Sequence, residues 1–136
     1  MNRQCMLAAA AIVALVVGSA GAQRRPYDAI MKEVGPTFDA LRQALEDPDL
    51  PLAAADAEKL ERLFAEVEHF WTPFRTKDAI DSARGARDTL AAVAAAARNK
   101  DAEKARAAAA GLGAFCATCH GSHRELQPDR TYRIKP

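Results

Sequence analysis

From Pro26 onward apolar residues recur at intervals of three and four, the period of an amphipathic helix, and no alternating apolar and polar run is long enough to predict a strand. The first helix is predicted over Tyr27 to Glu46, where Tyr27, Met31, Val34, Phe38, Leu41 and Leu45 share one face. Gly35 and Pro36 fall inside it, and proline removes an internal hydrogen bond, so a kink or loosened turn is expected there. "EDPDLP" closes that helix. A second is predicted over Leu52 to Phe70, with Leu60, Leu63, Phe64, Val67, Phe70 and Trp71 on its apolar side and "TPFRTKD" as its breaker. Trp71 and Phe74 are expected in the core. A third spans Asp78 to Arg98 with a narrow stripe of Ile80, Ala83, Leu90, Val93 and Ala97, and "NKD" forms the next turn. The fourth runs from Ala102 through Glu125 and places Leu112, Phe115, Cys116 and Cys119 on or near one side. The remaining "QPDRTYRIKP" has proline punctuation and no periodicity, which predicts an extended, solvent-exposed tail from about residue 127.

Short links between four amphipathic helices favour antiparallel neighbours, hence an all-α, up-down-up-down four-helix bundle. Alanine dominates the third and fourth helices and only 6% of residues are aromatic. Small side chains leave space unless backbones draw close, and a large apolar group would fill it. Gly111 and Gly113 stand just before the cysteines, where missing side chains let something bulky approach the backbone.

Before this helical region the chain opens "MNRQCMLAAAAIVALVVGSAGAQ". A short polar start, an apolar run from Leu7 to Val17 and small residues at Ala20 and Ala22 make the three-part layout of a secretory signal peptide cleaved after Ala22. The apolar run is shorter than the ~20 residues a spanning helix needs, so no stable membrane anchor is expected after cleavage. Residues 23–136 would then form one domain. Losing Arg3 takes Lys+Arg from 19 to 18, level with the 18 Asp+Glu, and a neutral chain gives no support for binding nucleic acid.

Chemistry concentrates in "GAFCATCHGSHREL". The pattern C-x-x-C-H, here Cys116, Cys119 and His120, is the attachment signature of a c-type haem. Two thiols three residues apart on a helix can each form a thioether with one vinyl group, and the adjacent imidazole then serves as proximal ligand to the iron. A structural zinc site commonly needs a second cysteine pair, which this chain lacks, although Cys116, Cys119, His120 and His123 are a conceivable set. A thioredoxin-like dithiol belongs at a helix start after a strand, whereas this pair lies late in a helical run.

With those residues the sequence resembles the class II cytochromes c, the cytochromes c′ and their low-spin relatives. "CATCHGSHR" matches the family's attachment motif with a basic residue, Arg124, four positions after the histidine, and "IMKEVGPTFDAL" is similar to its first-helix pattern. His123 departs from it, since an aromatic residue often stands there in the family. The resemblance implies one covalent haem near the C-terminus of a four-helix bundle, attached at Cys116 and Cys119 and ligated by His120. It implies Met31 as the distal ligand, and Val34, Phe38, Phe115 and Arg124 as pocket lining. A methionine thioether raises the potential and suits an electron carrier. A methionine on an apolar helical face is also ordinary core filler. In the five-coordinate cytochromes c′ the distal side is apolar and NO or CO binds. His69 is a second candidate distal ligand, though its charged neighbours Glu66 and Glu68 favour a surface position.

The expected function is therefore that of an exported, periplasmic monohaem cytochrome passing single electrons to redox partner proteins. The alternative is a cytochrome c′ that binds NO or CO. No acid, base and nucleophile constellation suggests an enzyme. Arg124, Arg130, Arg133 and Lys135 outnumber Glu125 and Asp129 after His120, a locally basic end that suits an acidic partner. Class II relatives often pair through their first two helices, so a homodimer is compatible with the resemblance.

Overall fold

The architecture comes from a computed structural model, which describes residues 25–135. The predicted signal segment, with Cys5, lies outside the described residues. Helix α1 (Tyr27–Glu46) starts where the Pro26 carbonyl accepts the amides of Ala29 and Ile30. It runs unbroken through Gly35 and Pro36, both exposed, so the bond proline cannot make is lost on the solvent side where water replaces it. Its fully buried stripe is Ile30, Val34, Thr37, Leu41, Ala44 and Leu45. That stripe is rotated from the predicted one, and Met31 and Phe38 stand half-buried on its flank.

Helix α2 (Leu50–Trp71) begins two residues earlier than predicted, because Asp49 caps it: its Oδ1 accepts the Leu52 amide at 3.1 Å, and Pro51 suits the first turn. A single 3-10 turn (Thr72–Phe74) and Arg75 in the left-handed region (φ 55°) redirect the chain into α3 (Lys77–Arg98). Along the α2–α3 seam Glu58 pairs with Arg98, and Glu68 with Arg84 and Arg87. The seam is closed by alanines: Ala53, Ala57, Ala79 and Ala86 have no exposed surface, and with Leu60, Leu90, Val93 and Trp71 they form the dense centre of the core. The alanine content therefore draws backbones together at the centre of this seam, and open space remains at its end, in a cleft of about 360 Å³ between Leu50, Ala54, Ala97 and Arg98.

The fourth predicted helix is two helices. Helix α4 (Ala102–Ala109) is capped by Asp101, whose Oδ1 accepts the Lys104 amide at 2.9 Å. The chain then turns at Ala110 and Gly111 and restarts as α5 (Leu112–His123). Glycine is about 1 kcal/mol poorer than alanine in a helix, and the break turns Leu112 into the core at 3% exposure. The tail is largely exposed, as expected, but folds back as a hairpin: Arg124–Leu126 (β1) and Tyr132–Ile134 (β2) pair antiparallel, Leu126 opposite Tyr132. The connecting turn uses Pro128, with the Arg130 amide bonded to the Gln127 carbonyl at 2.9 Å and Arg130 itself at φ 65°. Asp129 Oδ1 accepts both the amide and the hydroxyl of Thr131. The Lys135 amide then bonds the His123 carbonyl at 3.0 Å and ties the hairpin to the end of α5. The described chain is thus a helical bundle with one small hairpin. No helix among the described residues is long and apolar enough to cross a membrane.

Candidate functional site

Helix α5 presents an inward side and a second flank. Leu112, Phe115, Cys116, Cys119 and His123 form its inward side. The Phe115 ring lies directly on the Gly85 backbone of α3, where an added Cβ would sit 2.4 Å from the ring edge. Cys116 and Cys119 are free, half-buried and packed against the core, with Cys116 Sγ 3.7 Å from the Leu112 carbonyl. Burial pushes both thiols above their ordinary pKa, and for Cys119 the nearby charge of Asp78 adds to it. At neutral pH they are therefore protonated, the opposite of an activated dithiol.

Gly113, Cys116 and His120 follow one another at spacings of three and four, and so share one flank of α5. At the Gly113 end of this flank an open cleft of about 360 Å³ lies between α1 (Phe38, Arg42, Leu45, Glu46) and the α4–α5 rod (Arg106, Ala109, Ala110, Gly113), and Cys116, Cys119 and His120 do not line it. A Cβ added at Gly113, or at Gly35 on α1, would meet nothing within 4 Å. Tyr27, at the start of α1, lies near Cys119, while Phe38 and Gly113 wall the cleft further along. Met31 falls between Tyr27 and Phe38 along α1, as Cys116 falls between Cys119 and Gly113 along α5.

His120 itself is exposed, but enough of its ring lies against the protein that burial, reinforced by the Arg124 guanidinium, lowers its pKa. Arg124 reaches the His120 ring nitrogen at 3.4 Å and stacks on the Tyr132 ring, 3.4 Å from its centroid. The imidazole is thereby kept neutral, the form that ligates iron. Val34 is buried in α1.

His123 lies away from His120. Its Nε2 meets Asp78 Oδ2 at 2.9 Å, its Nδ1 meets the Lys135 carbonyl at 2.9 Å, and its ring packs 4.9 Å from Trp71. Trp71 is buried as expected and donates its Nε1–H to the Tyr27 hydroxyl at 3.1 Å. Burial pushes the Tyr27 phenol up to about 12. Phe74, expected in the core, is 52% exposed because the 3-10 turn swings it past the end of the bundle. His69 is exposed on α2. Arg42, Arg106 and Ala109, which wall the cleft, had no signal in the sequence beyond ordinary helix patterning.

Among the described residues no three His, Cys, Asp or Glu side chains converge to hold a bare metal ion, so Cys116, Cys119, His120 and His123 do not make a zinc site. The donor chemistry is compatible with a covalently held haem: two protonated thiols three residues apart, a neutral imidazole beside the second, and open space at Gly113 one turn before Cys116. No protein-family model, curated protein or solved structure matches the chain.

Proposed function

We propose that this chain is an exported, periplasmic monohaem cytochrome c of the class II type, an up-down-up-down bundle that carries single electrons between proteins. The observation that carries this reading is the pair of half-buried, protonated thiols of Cys116 and Cys119 beside a neutral His120 on one helix, α5. When bound, haem supplies the one-electron iron couple. Cys116 and Cys119 anchor it to a helix fixed by Leu112 and by Phe115 on Gly85. His120 offers a neutral ring nitrogen as proximal ligand. Met31, half-buried on the flank of α1, would supply the distal thioether, with Phe38 on the same flank and Val34 in the buried stripe as apolar wall. A thioether favours the reduced metal and raises the potential, which suits a carrier.

The test is the optical spectrum of the purified holoprotein and of Met31→Leu. The wild type should be low-spin with a weak far-red sulfur-to-iron band, and M31L should lose that band while keeping haem attached. A high-spin wild type that binds CO at once when reduced would overturn the carrier reading in favour of a five-coordinate protein that binds NO or CO.

A further inference from the structure

Four large apolar side chains are exposed among the described residues: Leu52, Phe74, Leu126 and Tyr132. Leu52 stands alone at the start of α2. The other three gather at the end of the bundle where α2 passes into α3, α5 ends and the hairpin folds back. Phe74 stacks on Phe70 and reaches Trp71, Trp71 touches His123, and His123 holds the hairpin through the Lys135 carbonyl. On the hairpin Leu126 and Tyr132 are cross-strand partners and so lie on one face, with Arg124 stacked on Tyr132.

The charges at this end are unbalanced in how they are paired. Its carboxylates are engaged: Asp78 with His123, Asp81 with Lys77, Glu125 with Arg133, and Asp129 with Thr131. Arg75, Arg124 and Arg130 have no carboxylate partner among the described residues, and all three are exposed. Arg75 and Arg130 are held in the left-handed region at φ 55° and 65°, each at the corner of its turn. Aromatic residues and arginine are the side chains that carry most binding energy at protein interfaces.

We propose that this end of the bundle, centred on Phe74, Leu126 and Tyr132 and ringed by Arg75, Arg124 and Arg130, is the docking surface for an acidic protein whose contact face has an apolar centre and a carboxylate rim. That such a protein is the electron-transfer partner rests on the function proposed above; the docking itself does not. Unpaired guanidiniums steer the acidic face, and the apolar residues hold it once water is expelled.

The test uses the holoprotein, isotope-labelled, titrated with plastocyanin, an acidic electron-carrying copper protein, and followed by backbone amide shifts. Shifts are expected at Arg75, Thr76, Leu126 and Tyr132, with affinity falling about tenfold between low and physiological salt. The R75E/R130E variant should weaken binding about tenfold and flatten that salt dependence. F74S/Y132S should weaken it by a similar factor and keep the salt dependence. Circular dichroism of both variants should match the wild type, since all four side chains are exposed. Shifts mapping to the outer faces of α1 and α2, or R75E/R130E binding within about twofold of wild type, would overturn the proposal. So would binding of phosphatidylglycerol vesicles through these residues when plastocyanin does not bind. A preparation without haem absorption would refute the electron-carrying function while leaving the amide shifts to report on docking.

Discussion

Gly85 is the residue on which the position of α5 depends. Because it has no Cβ, the Phe115 ring rests on the α3 backbone, and the cysteines one and four positions later are held half-buried. Replacing Gly85 with alanine has two opposing effects. Helix propensity favours alanine by about 1 kcal/mol. The new Cβ would lie 2.4 Å from Phe115 Cε1 and 2.8 Å from Cζ, so the ring or α5 must move, and such overpacking costs about 1–3 kcal/mol. The clash outweighs the gain in propensity, and G85A should lose about 1 kcal/mol in urea unfolding. Adding Phe115→Leu should recover part of that loss; a G85A variant more stable than wild type would show that the ring is not pinned.

At the scale of elements, α5 is joined to its neighbours through His123. Both ring nitrogens face oxygens that can only accept, the Asp78 carboxylate and the Lys135 carbonyl. The His123 hydrogen bond, with its charge, holds the Asp78 carboxyl below the usual carboxylate range. A carboxyl depressed in the folded state adds stability above its unfolded pKa of about 3.9 and loses it as pH falls through the lower folded value. Asp78→Asn should therefore be less stable than wild type near pH 6, and the gap should close on acidification past the carboxylate range. A gap of constant size across that window would contradict the linkage.

The elements also show which parts of the structure were legible in the sequence. The bounds of α1 were, because a strong three-and-four pattern lies between Pro26 and "EDPD". Helices α2 and α3 were read to within two residues. The fourth helix was misread because alanine satisfies a helical pattern wherever it falls, so nothing in "AAAAGLGAF" marked Gly111 as a break rather than a weak point. The hairpin was missed because its strands are three residues long, and what fixes them is tertiary: Arg124 on Tyr132, and Lys135 on His123. For the candidate site, Cys116, Cys119 and His120 were legible as a motif because its spacing is local. The cleft wall was not, since Arg106 and Ala109 meet Phe38 and Arg42 only once α4 and α5 separate.

For the whole molecule, space is distributed unevenly. The α2–α3 seam is closed by alanine at its centre and opens at its end, in a cleft of about 360 Å³ between Leu50, Ala54, Ala97 and Arg98, and a cleft of the same volume lies between the end of α1 and the α4–α5 junction, reaching Gly113 one turn before Cys116. In the proposed function the haem is held on α5 at Cys116, Cys119 and His120, and the end of the bundle where α5 passes into the hairpin meets a partner. The most direct test is the intact mass of the protein recovered from the periplasm of a host able to mature c-type cytochromes. The account predicts the chain from Gln23 onward with the mass of one haem added and neither Cys116 nor Cys119 open to alkylation. A mass equal to the bare polypeptide, with both thiols alkylated, would contradict it.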